Sequence, residues 1–206
     1  MIARHSVILK FIIRFCDIAL SGFGLIMLSP AMLLILVFGW AKHGSPIFKQ
    51  KRVGWREKEF TLIKFRTMAL GAPSVASHKV SHDLITPFGH WLRKTKCDEL
   101  PQLINVLRGE MSLVGPRPCL PNQTDVIEAR RLHNCFCVRP GITGEAQIQK
   151  VDMSEPKKLA ELDGNMIQAI CLRKYIFYLL KTVCGAGRGD AVKKNGNKNE
   201  EVSRAA

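Results

Sequence analysis

Asp98-Glu99-Leu100-Pro101-Gln102-Leu103-Ile104-Asn105-Val106-Leu107-Arg108-Gly109-Glu110-Met111-Ser112-Leu113-Val114-Gly115-Pro116-Arg117-Pro118 decides how the fold of this chain is read. Leu100, Leu103, Ile104 and Leu107 recur at helical spacing and make one apolar face. Asp98 stands where an N-cap belongs, Pro101 falls in the first turn, and Gly109 can end the helix. Two adjacent carboxylates therefore open an apolar helix, and an arginine held between two prolines follows it. Capping alone accounts for Asp98 and Glu99, because the helix dipole favours acids at that end. The same position keeps a carboxylate ionised, which a nucleophile or a Mg²⁺ ligand requires.

Arginines recur in constrained settings. Arg66 lies in Lys64-Phe65-Arg66-Thr67-Met68, Arg117 in Gly115-Pro116-Arg117-Pro118, and Arg139 in Arg139-Pro140-Gly141-Ile142-Thr143-Gly144. Proline and glycine neighbours limit the backbone, so each guanidinium is presented with little entropy loss, and its planar fork matches phosphate oxygens. A surface salt bridge explains any one of them. Three of them with an acid pair point to a phosphate site. Neither a Walker loop nor a dinucleotide fingerprint is present, and the histidines form no spaced ligand pattern.

From Ile18 to Ala41 no residue is charged, about 36 Å of helix at ~1.5 Å per residue and long enough to cross a bilayer. Ser29-Pro30 lies at its midpoint. Proline leaves the Ile26 carbonyl without its helical donor, and the Ser29 hydroxyl is placed to satisfy it. Arg4, Lys10 and Arg14 precede the run; Lys42, Lys49, Lys51 and Arg52 follow it. Positive charge on both flanks places both ends on the cytoplasmic side. The expectation is a re-entrant helix-break-helix entering one leaflet, with a kinked spanning helix as the alternative.

The remainder divides by composition. Residues 42–66 carry β-branched and aromatic residues around a turn at Gly54 and predict strands. Residues 69–83 predict a mobile loop. Trp91 among Arg93, Lys94 and Lys96 suits an interfacial amphipathic helix. Residues 155–184 predict helix, and the Gly/Lys/Asn-rich end predicts disorder. The net charge of +14 calls for anionic partners: nucleic acid, lipid headgroups or phosphorylated small molecules. Seven cysteines without a Cys-x-x-Cys pair argue against zinc and for a reducing compartment, most of them as small buried residues. The expected class is α+β: a re-entrant membrane anchor over 1–41, a small, mainly helical cytoplasmic domain with a short β element over 42–184, and a disordered basic tail over 185–206.

Ser29-Pro30 in the apolar run, Lys64-Phe65-Arg66-Thr67-Met68, Asp98-Glu99-Leu100-Pro101-Gln102-Leu103, Met111 to Pro118, and Val138 to Gly144 occur in the order found in one family. Over roughly residues 10–165 the chain resembles the bacterial sugar transferases, the small monotopic phosphoglycosyl transferases. The resemblance implies an enzyme on the cytoplasmic face of a bacterial inner membrane. It would move a sugar-1-phosphate from a UDP-sugar to undecaprenyl phosphate or another polyprenyl phosphate, releasing UMP and starting a surface glycan for downstream glycosyltransferases. It implies Asp98 as the nucleophile of a covalent phosphosugar intermediate and Glu99 as the ligand of Mg²⁺. Arg93, Arg117 and Arg139 would hold phosphates, with Lys64 and Arg66 in the same substrate-binding set, and Ser29-Pro30 would form the membrane kink. Glu145 departs from the apolar residue usual in the family, so an inactive relative that binds lipid or a partner is the alternative. Nucleic-acid binding rests on charge alone, and the apolar anchor argues against it.

Overall fold

A computed structural model describes residues 7–72 and 84–187. It consists of one long apolar helix packed on a small, mainly helical domain with two short β pairs. The first helix, α1 (Val7–His43), runs without interruption through Pro30. The break expected at Ser29-Pro30 is absent as an interruption of the helix, for a local reason. The Ile26 carbonyl, which Pro30 cannot serve, accepts a hydrogen bond from the Ser29 hydroxyl at 2.8 Å, so the ladder is repaired where proline opens it.

Most of α1 is apolar and exposed, including Phe15, Phe23, Ile26, Met27, Leu34 and Trp40. By length and composition it can cross a membrane. One stripe of it faces the domain. Asp17 and Ser21 are buried near one end, and Ile35 near the other, while residues 26–31 between them are exposed. Ile35 packs with Phe65 and Leu92, two fully enclosed core side chains. Truncating a Leu of this kind to Ala costs ~2–5 kcal/mol.

Strands β1 (Ile47–Val53) and β2 (Glu59–Phe65) form the antiparallel hairpin expected from their β-branched and aromatic residues, in register from Ile47↔Phe65 to Val53↔Glu59. The β2 end leads into the Met68↔Ile85 bridge and then α2 (Pro87–Thr95), capped by the Thr86 hydroxyl, which accepts from the Gly89 amide at 3.0 Å. A Cβ on Gly89 would stand 1.9 Å from the Thr67 carbonyl oxygen, so only glycine lets α2 approach the chain just after β2 this closely. Next comes α3 (Gln102–Leu107), closed by Gly109 at φ +81. A two-stranded parallel pair follows, β3 (Ser112–Val114) with β4 (Gly141–Thr143); α4 (Thr124–Leu132) lies between its strands. Sequence patterning missed this pair and α4. Three-residue strands are too short to show an alternation.

After β4 come α5 (Glu145–Ile148), α6 (Pro156–Ala169) and α7 (Leu172–Val183). The helical stretch expected over 155–184 is thus two helices, separated where Ile170 turns extended. Both α2 and α7 are amphipathic, with Trp91 on the first and Ile176, Phe177, Leu180 and Val183 on the second exposed. All seven cysteines are free. Only Cys119 and Cys135 are buried, so the expectation that most are core residues fails: three lie on exposed turns and helix ends. Arg4, most of the loop expected over 69–83, and the tail beyond Gly187 lie outside the described residues.

Candidate active site

The acid pair sits between the hairpin, α2 and α3. Asp98 and Glu99 belong to a single tight helical turn, Cys97–Glu99, entered through Lys96 in the left-handed region (φ 59). The N-cap of α3 is Pro101, so Asp98 is not the cap that its spacing suggested. Instead its side chain is buried, with the residue 8% exposed. The reason is tertiary: Leu100 and Cys97 pack into the Ile35–Phe65–Leu92 cluster and draw the turn inward.

Three cations converge on this turn. Lys64 comes from β2, Arg93 from α2 and Arg117 from the loop after β3, and all three act on Asp98 electrostatically. Arg117 donates to Glu99 Oε1 at 2.7 Å while its own side chain stays 45% exposed. Arg93 donates through Nε to the Thr67 hydroxyl at 2.9 Å, and Lys64 lies 5.2 Å from the centre of the Phe48 ring.

The environment separates the two acids. Burial, then the neighbouring Glu99, pushes the Asp98 carboxyl up to about 7, although Lys64, Arg93 and Arg117 pull the other way. Burial also acts to raise Glu99, but the charge and hydrogen bond of Arg117, with Lys96 and Lys64, bring it below the usual range. Lys64 is pushed down to about 8 by burial, against the pull of Asp98. Two adjacent carboxylates with opposite shifts are suited to different roles. The expectation that Asp98 is held ionised by a helix end is replaced by a carboxyl that titrates near neutrality.

Two cations assigned with these do not come to the acid pair. Arg66 donates through Nε to the Ser45 carbonyl at 2.7 Å and lies over Phe48, tying the α1–β1 connection to the end of β2. Arg139 donates to the Gly109 carbonyl at 2.8 Å and lies 4.8 Å from the Trp55 ring centre. Its charged neighbours are Arg14 and Asp17. Proline and glycine neighbours fix a backbone locally, but not which site it faces. Ser29 and Pro30 lie in the exposed middle of α1.

Two supporting residues were missed by the sequence reading. Asn105, fully buried, accepts from the Ile63 amide at 3.1 Å and donates to the Thr61 carbonyl at 2.8 Å, so it pairs with β2 as a strand would and fixes the element carrying Lys64. Asp17 accepts from the Ser112 hydroxyl, the Leu113 amide and the Tyr175 hydroxyl, binding α1 to β3 and α7. The available signals were an Asn inside an apolar helix and an acid at the edge of an uncharged run. Glu145 has partners too, accepting from Tyr178 at 2.6 Å and from Gln149.

Mg²⁺ fits this donor set. It favours hard oxygen donors, taking one or two carboxylates and completing its shell with water and substrate phosphates. Glu99, ionised and beside Asp98, supplies such an oxygen. No group of three or more His, Cys, Asp or Glu forms a ready cage among the described residues.

A family model described as bacterial sugar transferase matches residues 8–188. The uncharacterized sugar transferase EpsL of Bacillus subtilis (strain 168) is 42% identical over 154 residues, 73% of this chain and 74% of that protein. The UDP-glucose:undecaprenyl-phosphate glucose-1-phosphate transferase of Caulobacter vibrioides is 34% identical over 182 residues, 82% of this chain and 67% of its own length. The undecaprenyl-phosphate galactose phosphotransferase of Salmonella typhimurium is 33% identical over 156 residues, 68% of this chain, which spans only 33% of that longer protein.

Proposed function

The chain belongs to the bacterial sugar transferase family, and from that premise we propose that it transfers a sugar-1-phosphate from a UDP-sugar to undecaprenyl phosphate or a related polyprenyl phosphate, releasing UMP. The observation that carries this is the acid pair, Asp98 buried and Glu99 half-buried, set among Lys64, Arg93 and Arg117. A diphosphate needs its charge neutralised and its atoms aligned more than it needs exotic groups.

The Asp98 carboxylate attacks the sugar-bearing phosphorus. The bond from that phosphorus to the bridging oxygen breaks, and UMP leaves with the oxygen. A polyprenyl phosphate oxygen then attacks the same phosphorus, and the Asp98 carboxylate is restored. Two displacements let the soluble donor product depart before the lipid acceptor enters. Arg117 and Arg93 hold phosphate oxygens, and Lys64 offsets charge beside Asp98. Glu99 would hold Mg²⁺, which supplies further charge neutralisation at the diphosphate. Arg66 and Arg139 serve the fold and fall outside this set.

The same reading puts the protein on the cytoplasmic face of a bacterial inner membrane, with α1 entering one leaflet and bending at Pro30 while staying helical. What supports a one-sided arrangement is that α1 is held to the domain on both sides of its exposed middle, by Asp17 and Ser21 before it and Ile35 after it. The exposed apolar faces of α2 and α7 fit the interface, which brings the acid pair to headgroup level. Cysteine labelling at the N-terminus and near Lys42 should report one side; opposite sides would overturn this topology.

The reaction is tested with purified protein, Mg²⁺, undecaprenyl phosphate and a panel of UDP-sugars, reading UMP. At least one donor should give UMP, and Asp98→Asn should abolish it. Turnover by Asp98→Asn like that of wild type would remove Asp98 as nucleophile, and silence of wild type with every donor would remove the reaction.

A further inference from the structure

Arg117 is mounted with unusual completeness. Five consecutive carbonyls around it each accept a hydrogen bond. Gly115 accepts from Gln147 Nε2 at 3.3 Å, Pro116 from the Gly141 amide at 2.9 Å and Cys119 from the Val53 amide at 2.9 Å. Between them, Arg117 accepts from Arg130 Nη1 at 2.7 Å and Pro118 from Arg52 Nη1 at 2.9 Å. Pro116 and Pro118 have fixed φ, and the residue before each is restricted as well. The main chain from 115 to 119 is left with almost no freedom, and the Arg117 side chain projects from it.

The two central holds are made by buried charges. Arg130 is 2% exposed and donates through Nε and Nη2 to Asp163 Oδ2, at 3.1 and 2.7 Å, with Asp163 fully buried. Arg52, also buried, donates through Nε and Nη2 to Gln50 Oε1 at 3.1 and 2.6 Å. Burying a charge is costly, and apolar side chains of similar volume hold a core equally well. A guanidinium in its place has a use that packing lacks: its remaining N–H reaches one chosen carbonyl.

We propose that Arg52 and Arg130, the latter oriented by Asp163, are positioning residues that act through Arg117 by locking the main chain of residues 115–119. This rests on the reading of Arg117 as a phosphate-holding residue. The test replaces the buried pair as a unit, Arg130→Met with Asp163→Leu, so that no lone charge remains in the core. The full-length protein should stay folded. Amide exchange at Gly141 and Val53, whose N–H groups bond the Pro116 and Cys119 carbonyls, should rise about tenfold. The kcat for UMP release should fall ~10–100-fold, the size of effect that a small misplacement produces, with the donor KM changed by less than about threefold.

The deciding readout is a cycle with Arg117→Ala. If the pair works through Arg117, its replacement costs no further activity once Arg117 is gone, within about twofold. Additive losses, or unchanged exchange and kcat in a folded replacement, overturn the proposal. Should the replacement fail to fold, Arg52→Lys runs the same cycle. It keeps the charge but loses the planar fork whose separate N–H groups hold Gln50 and Pro118 at fixed geometry, so a loss of about threefold to tenfold is expected, again vanishing in the Arg117→Ala background. If wild type releases no UMP, the transfer reading fails by itself, and the exchange rates alone then judge the mount.

Discussion

The two ends of α3, one short helix, are both ringed by cations, yet they differ in kind. At the first end Lys64, Arg93 and Arg117 face Asp98 and Glu99. At the second end Arg14 donates to the Val106 and Leu107 carbonyls at 2.8 and 3.1 Å, and Arg139 to the Gly109 carbonyl. Those cations bond carbonyls at the end of the helix, and positive charge at a helix C-terminus stabilises it. At the acid end the charges leave two carboxylates shifted in opposite directions and an arginine half open to solvent. Arg14 and Arg139 are tied to the helix end they serve, whereas Arg117 stays half open beside the acids and keeps N–H groups for a substrate.

The contrast can be broken by substitution. Asp98→Asn should lower UMP release by at least ~10⁴-fold, as loss of a nucleophile does, with membrane binding retained. Arg117→Ala should follow with a loss of about 10²–10³-fold, the range for removing a preorganised charge-stabilising donor. Arg139→Ala at the opposite end should leave turnover per folded molecule within about threefold and lower unfolding free energy by ~1–2 kcal/mol, from its carbonyl bond and its contact with Trp55. A fall in turnover for Arg139→Ala as deep as that for Arg117→Ala would erase the distinction between the two ends.

Acidity sharpens it further. The attacking form of Asp98 is the carboxylate, so the rate should climb as pH rises through about 7. The helpful form of Lys64 is the ammonium, so the rate should decline above about 8. Lys64→Met should abolish the declining limb and move the rising limb to higher pH, because the Lys64 charge holds Asp98 down. A pH–rate profile unchanged in Lys64→Met would separate the two groups. Arg14→Met, the smallest effect on rate, should leave that profile intact and show itself only in a lower melting temperature.

Much of this was legible in the chain itself. The β1–β2 hairpin follows from β-branched and aromatic residues about Gly54, and α1 from a long uncharged run, because both depend on neighbours close in sequence. The acid pair and the proline-bounded Arg117 were visible as chemistry. What stayed hidden depends on distant contacts: the parallel β3–β4 pair, the use of Asp17 and Asn105 as fasteners, and the sorting of Arg117 from Arg139.

Composition and local stereochemistry are enough to specify a membrane-length helix, an acid pair and arginines set beside prolines and glycines. Long-range packing makes Asp98 a buried carboxyl and not a helix cap, brings Lys64, Arg93 and Arg117 to act on it while Arg66 and Arg139 are bonded elsewhere, and carries α1 through Pro30. The physical reason is one: burial and long-range hydrogen bonding set both the charge state of a group and its address, and neither is a property of the residues beside it in the chain.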